Sequence, residues 1–270
     1  MSVLEIRELS FSYRSRLAVD GLTVTLQPGQ LLAIVGPNGA GKSTVLRLLS
    51  GWFEPDEGQV LLRGEPVRAL APPERARQIT LVPQMSDAAH DMPVAELVAL
   101  GRLTRLSLRQ RLLLSPLSHE DRLAIDLALR SADVLELAKR PFRELSGGER
   151  SRARLAVALA QEARWLLLDE PEAHLDPGHA QAMMACLLAQ AQAGHGVVAA
   201  MHDLTLAAAF ADRMLLLDRG RLVAFGPPNA VLTAALVRKV YGPQLSVIPN
   251  PDGGSPVVLP RRETAAGDGE

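Results

Sequence analysis

A glycine-rich segment directly after an apolar run limits what this chain can fold into. The apolar run is Leu31–Val35, which has the continuous hydrophobicity of a buried strand. A strand, a glycine loop and a helix in this order are typical of a phosphate-binding loop, so we predict an α/β fold. The loop, called the phosphate loop below, consists of Gly36, Pro37, Asn38, Gly39, Ala40, Gly41, Lys42, Ser43 and Thr44.

The residue types in the phosphate loop predict a site for a nucleoside triphosphate. Its glycines allow backbone N–H groups to converge on phosphate oxygens, and the helix that begins there adds a favourable dipole. Lys42 can place a positive charge on the β- and γ-phosphates, and the Ser43 hydroxyl can bind Mg²⁺.

Apolar runs and helical stretches alternate along most of the chain, which predicts a parallel sheet covered by helices. The predicted strands are Leu31–Val35, Ile79–Val82, Trp165–Asp169, Val197–Met201 and Met214–Asp218. The predicted helices are Ser43–Ser50, Gly148–Glu162, Pro177–Ala193 and Leu204–Ala211. Residues 3–30 have the pattern of short amphipathic strands joined by turns. The predicted fold class is α/β, a P-loop NTPase (RecA-like) core with an N-terminal antiparallel β subdomain and an inserted α-helical subdomain.

One stretch, residues 86–145, breaks this alternation, because it is rich in Leu and Arg and has helical periodicity without a strand-like run. We interpret it as the inserted helical subdomain, which covers about residues 86–160 once the following helix is included. It lies within one domain of residues 1–245. Residues 246–270 are predicted to be a C-terminal tail rich in Pro and Gly, of which we expect about the last ten residues to be mobile.

The composition of the 270 residues argues against several classes of protein. A formal net charge of -1 gives no basic excess for a nucleic-acid partner. The single cysteine, Cys186, cannot form an internal disulfide, which favours a reducing compartment. The N-terminus lacks the apolar core of a signal peptide, and no apolar run of about 18 residues is present to span a bilayer. We expect a chain of cytosolic character.

A second apolar run, Trp165–Asp169, leads into a pair of carboxylates. Together with the phosphate loop, Asp169 at the end of a strand is placed to bind Mg²⁺ directly or through water. Glu170 would face the γ-phosphate and could deprotonate an attacking water. Without the phosphate loop, the same pattern would indicate only the end of a strand.

A third segment predicts a second site for an anion. Ser146, Gly147, Gly148 and Glu149, called the capping segment below, combine a capping hydroxyl, free N–H groups and the positive end of a helix dipole. The alternative is a plain helix cap. With all three motifs in this order, residues 3–245 resemble the ATP-binding-cassette (ABC) family of transporter ATPases.

The resemblance implies that two copies of the chain share their sites. In the family, the capping segment of one subunit contacts the γ-phosphate held by the phosphate loop of the other, and Asp176 lies in the loop that couples the two sites. Binding of ATP and Mg²⁺ would thus use residues of both chains, with the residues of Ser146–Glu149 and Asp176 acting in trans.

The resemblance also implies roles for single residues at the other family positions. Tyr13 would stack on adenine, Gln84 would contact Mg²⁺ or the lytic water, and His202 would contact the γ-phosphate. Glu170 and His202 are then the catalytic residues. The metal ligands are Ser43, Gln84 and Asp169.

The chain departs from the family pattern directly after Pro171. The family carries Thr and a small polar residue there, whereas this chain has Glu172, Ala173 and His174. An extra carboxylate and an imidazole therefore lie near the loop that couples the two sites. His174 could titrate near neutral pH, and a surface substitution is the simpler interpretation.

The resemblance implies a homodimer that hydrolyses ATP to drive transport. It would bind two transmembrane permease subunits around Gln84 and the helical insert, at the cytoplasmic face of the inner membrane, and the permease would receive substrate from a periplasmic binding protein. A soluble ABC ATPase that acts on ribosomes or DNA is the alternative from another class. Such proteins usually carry two cassettes or long coiled-coil insertions, and exporters commonly fuse the cassette to membrane helices.

The transported substrate is predicted from weaker similarities. Importers of iron–siderophore, haem and cobalamin carry segments similar to Val94–Arg102, His202–Ala208, Ala211–Arg213, Gly226–Thr233 and Val240–Gly242. The ending Pro251–Pro260 is most similar to haem importers. Haem is therefore the first expectation, and siderophore and cobalamin stay open.

Overall fold

The computed structural model describes residues 3–83, 91–106, 116–250 and 254–261. The strands in chain order are β1 (Leu4–Tyr13), β2 (Arg16–Leu26), β3 (Leu31–Val35), β4 (Glu57–Leu62), β5 (Glu65–Pro66), β6 (Ile79–Val82), β7 (Trp165–Asp169), β8 (Gly196–Ala200), β9 (Arg213–Asp218), β10 (Arg221–Gly226), β11 (Leu245–Ile248) and β12 (Val257–Pro260). The α-helices are α1 (Lys42–Leu49), α2 (Pro72–Gln78), α3 (Val94–Leu100), α4 (His119–Ser131), α5 (Gly147–Gln161), α6 (Pro177–Gln192), α7 (Leu204–Phe210), α8 (Pro228–Val231) and α9 (Ala234–Tyr241). Short 3-10 turns lie at Val67–Ala69, Gly101–Thr104, Leu135–Leu137 and Phe142–Glu144.

The centre of the molecule is a six-stranded sheet in the order β10-β9-β3-β8-β7-β6. The strands from β9 to β6 are parallel, and β10 pairs antiparallel with β9 at one edge. Every residue of β3, β7 and β8 is buried, as expected for parallel strands with both faces covered. All the strands and helices predicted above are present, within one residue of their predicted ends. The predicted α/β core is confirmed.

A second, antiparallel sheet has the order β2-β1-β4-β5. Its apolar side chains share one hydrophobic cluster with α1 and with residues of the central sheet. The predicted N-terminal antiparallel subdomain is therefore confirmed. A two-residue turn joins β1 to β2 and places Tyr13 directly opposite Arg16.

Helices α3, α4 and α5 pack together in a hydrophobic cluster with strands of the central sheet. A buried arginine ties them to one another. Arg102 is only 2% exposed, its Nε donates to Asp121 Oδ1 at 2.8 Å, and its Nη1 donates to Glu162 Oε2 and to the Ala160 carbonyl, both at 2.8 Å. Removal of one partner from such a buried group typically costs about 3–5 kcal/mol. The helices therefore form a firmly linked unit, while the subdomain bounds given above stay a prediction.

The C-terminal part of the chain contains structure that the sequence did not predict. Strands β11 and β12 pair antiparallel, although most of their residues were expected to belong to a tail. The Thr205 hydroxyl on α7 donates to the Val258 carbonyl at 3.1 Å and accepts from the Val258 N–H at 3.0 Å, so the strand pair is fixed to that helix. Residues 262–270, expected to be mobile, lie outside the described residues. Among the helices that the structure describes, none has the length and apolar character needed to cross a membrane.

Candidate nucleotide site

A cavity of about 570 Å³ lies where several parallel strands end. The phosphate loop follows β3, Glu170 follows β7, and His202 comes shortly after β8. Parallel strands bring their carboxyl ends to the same edge of a sheet, which explains how residues far apart in sequence meet here. The cavity is lined by Tyr13, Arg16, Ala18, Asn38, Gly39, Ala40, Gly41, Lys42, Ser43, Thr44, Glu170 and His202.

The phosphate loop has a backbone shape that its glycines make accessible. Gly36 has a φ of 154°, and a Cβ there would lie 2.3 Å from the Leu217 carbonyl oxygen. Gly41 has a φ of 103°, and a Cβ there would lie 2.4 Å from the Ala18 carbonyl oxygen. Gly41 precedes α1 and provides no side-chain cap. The first N–H groups of α1 are thus available to an anion.

Lys42 lies beneath this loop and is only 5% exposed. Its Nζ donates to the Gly36 carbonyl at 2.8 Å and to the Pro37 carbonyl at 3.2 Å. Burial lowers the pKa of Lys42, and the nearby carboxylates of Glu170 and Asp169 oppose that change. The ammonium group is therefore held inside the loop, where a phosphate can replace the carbonyls as its partner.

Ser43 and Asp169 meet at the edge of the cavity. The Ser43 hydroxyl donates to Asp169 Oδ1 at 2.8 Å. Asp169 is 7% exposed, and burial raises its pKa, while the hydrogen bond from Ser43 opposes the rise. A hydroxyl and a carboxylate supply the oxygen ligands that Mg²⁺ prefers, with phosphate and water to complete its shell. The described part of this donor set fits Mg²⁺; Gln84, the third predicted ligand, lies outside the described residues.

Glu170 and His202 contact each other at the mouth of the cavity. Glu170 Oε1 accepts a hydrogen bond from His202 Nε2. The backbone of Glu170 has a φ of 53°, a left-handed conformation that is uncommon for this residue type, and its N–H donates to the Ala200 carbonyl at 3.0 Å. The sharp turn at the end of β7 therefore aims the carboxylate of Glu170 into the cavity.

Tyr13 lies at the other end of the cavity and stays 41% exposed. Its ring packs edge-on against Phe11 and Phe53, and its hydroxyl lies 3.4 Å from Thr44 Oγ1. Arg16 lies on the same side of the sheet, because directly opposite residues of an antiparallel pair share a face. A guanidinium nitrogen of Arg16 lies 3.2 Å from the place that a Cβ of Gly39 would take. The sequence patterns above did not identify Arg16 as a site residue. Its position opposite Tyr13 across a two-residue turn is the signal that could have identified it.

The capping segment forms a reciprocal helix cap at the start of α5. The Glu149 N–H donates to Ser146 Oγ at 3.3 Å, and the Ser146 N–H donates to Glu149 Oε2 at 2.7 Å. The hydrogen bond from the Ser146 backbone lowers the pKa of Glu149. Asp176 caps α6 in a similar way, accepting from the His179 N–H at 3.0 Å. None of these residues is among those that line the cavity of their own chain.

Glu172 is not the surface substitution that the sequence suggested. Its Oε1 accepts the backbone N–H of His202 at 2.9 Å, and its Oε2 is buried. Burial raises the pKa of Glu172. His174, by contrast, is exposed and lies next to the capping segment, with its Cβ 3.3 Å from the place that a Cβ of Gly147 would take.

Comparison with known proteins identifies the family of this chain. A family model described as ABC transporter matches residues 19–173. The chain belongs to the ABC transporter family. The protein named Hemin import ATP-binding protein HmuV from Thermobifida fusca is 38% identical over 260 residues, which cover 96% of this chain and 89% of that protein. The protein of the same name from Pseudomonas putida is 38% identical over 264 residues, covering 96% of this chain and 100% of that protein.

A solved structure gives the same result for the fold of this ABC protein. It is described as a metal-chelate type ABC transporter in an inward-facing conformation, and its chain has a TM-score of 0.81 at 27% identity. The match covers 98% of this chain and 99% of that one. The prediction of an ATP-hydrolysing ABC transporter subunit is thus confirmed.

In this ABC transporter subunit, the structure brings together one part of the predicted site and separates the other. Residues of the phosphate loop meet Tyr13, Glu170 and His202 in one cavity, and Asp169 contacts Ser43 at its edge. The capping segment and Asp176 lie elsewhere on the chain. The role of each residue stays a prediction.

Proposed function

We propose that this chain hydrolyses ATP with Mg²⁺ as the homodimeric motor of a bacterial haem importer. The observation that carries the catalytic part is the convergence of three chain segments on one cavity. The phosphate loop lines it together with Glu170 from the end of β7 and His202 from beyond β8. Such an arrangement suits in-line attack of water on a γ-phosphate.

Each side chain has a separate task in this proposal. Lys42 and the first N–H groups of α1 hold the β- and γ-phosphates. Ser43 and Asp169 would hold Mg²⁺, which would supply positive charge to the phosphate oxygens. Glu170 takes a proton from the attacking water. His202 orients the γ-phosphate by a hydrogen bond to one of its oxygens.

The capping segment belongs, in this proposal, to the site of the partner subunit. The support is geometric, because these residues form the exposed N-terminus of α5 and none of them lines the cavity of their own chain. Closure of two chains would bring the positive end of the α5 dipole onto the γ-phosphate. Asp176, which caps the neighbouring helix α6, would then face the same junction.

Mixed dimers test whether the site is shared. Ser146→Arg leaves the phosphate loop intact but blocks the N-terminus of α5, and Lys42→Ala does the reverse. We expect either variant alone to be nearly inactive as an ATPase. In a mixed dimer one composite site carries both changes and the other carries neither, so part of the activity should return. The measurement is ATP turnover, with trapped nucleotide counted per dimer, in complexes with the permease.

A mixed dimer that neither turns over ATP nor traps any nucleotide would contradict the shared site. Counting trapped nucleotide matters because strict coupling between the two sites could suppress turnover while one intact site still closes on ATP. Ser146→Ala serves as the matched control, because it removes the capping hydroxyl without adding a bulky cation.

The haem part of the proposal is supported by the relatives. The two HmuV proteins described above are named for hemin import and align with almost the whole chain. The chain would act at the cytoplasmic face of the inner membrane beneath two permease subunits, which receive haem from a periplasmic binding protein. A groove lined by Leu81, Pro83, Leu97 and Phe142, between β6 and the helical unit, suits a permease segment.

Transport of haem is tested with the assembled importer. The chain is produced with a permease and a periplasmic binding protein that assemble with it, and uptake is measured in vesicles that contain ATP. We expect haem to enter, and we expect a complex that carries Glu170→Gln to transport at least about 100-fold more slowly, because hydrolysis limits each cycle. Uptake of a ferric siderophore or of cobalamin without haem uptake would refute the haem assignment and leave the ATPase assignment in place.

A further inference from the structure

Glu172 lies beside the proposed catalytic pair but has no part in the chemistry described so far. Its Oε1 accepts the backbone N–H of His202 at 2.9 Å. Its Oε2 is buried. A carboxylate is costly to bury. An apolar side chain would fill this space without the cost of burying a carboxylate. The hydrogen bond from the His202 backbone to Glu172 therefore calls for a functional explanation.

His202 is held at two points. Its imidazole Nε2 contacts Glu170 Oε1, and its backbone N–H contacts Glu172. The residue itself lies between the end of β8 at Ala200 and the start of α7 at Leu204, outside both elements. The position of its backbone therefore depends on the Glu172 hydrogen bond more than that of a residue within the strand would.

The two contacts of His202 differ in what happens to them when ATP binds. Under the proposed function, Glu170 contacts the attacking water and His202 contacts the γ-phosphate, so the imidazole has to leave Glu170. The Glu172 contact involves only the backbone and can persist. The imidazole would then turn about a fixed Cα from the carboxylate to the phosphate.

We propose that Glu172 is a positioning residue that fixes the backbone of His202, about which the imidazole turns. Glu172 also lies in the loop of residues 171–176, which ends at Asp176, the residue proposed to act across the dimer. The hydrogen bond between the His202 backbone and Glu172 thus connects the residue proposed to contact the γ-phosphate with the loop that faces the partner subunit. This inference rests on the proposed roles of Glu170 and His202.

The test compares two substitutions of similar size in the full chain. Glu172→Gln keeps an amide oxygen that can accept the His202 N–H, whereas Glu172→Leu fills the space without an acceptor. We expect Leu to lower kcat for ATP hydrolysis by about 10- to 100-fold, the cost of a small misplacement of a reacting group. Gln should stay within about threefold of wild type, since it rescues the contact. In both variants the dissociation constant of ATP should change less than about threefold, because the phosphate loop is untouched.

Glu136→Ala, at an exposed position in a 3-10 turn, is the matched control and should behave as wild type. A Glu172→Leu variant with wild-type kcat would overturn the inference, and so would a Gln variant as slow as the Leu variant. A fall in melting temperature together with lost ATP binding would assign Glu172 a structural role and overturn it as well. A wild-type chain that failed to hydrolyse ATP in its complex would contradict the proposed function itself, which distinguishes that outcome from a failure of the inference about Glu172.

Discussion

Glu170→Gln is expected to slow ATP hydrolysis by about two to four orders of magnitude, the usual contribution of a general base. Gln has the shape of Glu but cannot take a proton from the attacking water. ATP binding should persist, because Lys42 and the phosphate loop are unchanged. The measurement is single-turnover hydrolysis of ATP in the assembled complex, with the dissociation constant of ATP determined on the same sample.

The same variant should accumulate as a closed dimer. If closure follows ATP binding and reopening follows hydrolysis, slow hydrolysis holds the two chains together. Size-exclusion chromatography with Mg-ATP would detect the dimer of the isolated chain, and nucleotide trapped in the complex would detect it where isolated chains associate weakly. Hydrolysis at the wild-type rate would remove Glu170 as the base, and a complex that traps no nucleotide would contradict the closed dimer.

Lys42→Ala is expected to abolish useful ATP binding and, with it, hydrolysis. Lys42 is held under the loop by two backbone carbonyls, which places its charge where the β- and γ-phosphates would lie. Charge-assisted hydrogen bonds contribute about 1.5–3 kcal/mol each, so the loss of contacts to two phosphates should weaken binding by about 100-fold or more. Equilibrium binding of a fluorescent ATP analogue measures this loss.

Lys139→Ala is the control for Lys42→Ala, because Lys139 is exposed and outside the cavity. It should bind ATP as the wild type does. Near-normal ATPase activity of Lys42→Ala, in a protein with an unchanged melting temperature, would show that the nucleotide site has been assigned to the wrong loop.

The core of the fold could be predicted because its signals are local and strong. Runs such as Leu31–Val35 and Trp165–Asp169 are apolar throughout, which marks strands buried on both faces. The phosphate loop adds a glycine pattern whose backbone shape few other sequences can adopt. Since parallel strands align their carboxyl ends, the meeting of Lys42, Glu170 and His202 followed from the order of the motifs.

Other features could not be predicted because they depend on contacts between distant residues. Nothing near Glu172 in the sequence indicates that the side chain points inward to the backbone of His202, 30 residues later. Arg102 is buried only because Asp121 and Glu162 reach it from two other elements. The strands β11 and β12 are short and flanked by Pro and Gly, and their pairing is stabilised by Thr205 of helix α7.

The buried Arg102 has a mechanical consequence for the subunit. Helix α5 begins at the capping segment, and its last turn lies beside Arg102, so its 15 residues make a rod about 22 Å long that runs from the capping segment to the clamp formed by Arg102. The clamp includes Asp121 of α4 and the turn after α3, so a load applied to either helix is passed to the rod. A tilt of about 10° at the clamp would carry Ser146 through about 4 Å, more than the length of a hydrogen bond. Under the proposed function, a small push on the helical unit would be enough to seat the capping segment on a phosphate of the partner subunit or to lift it away.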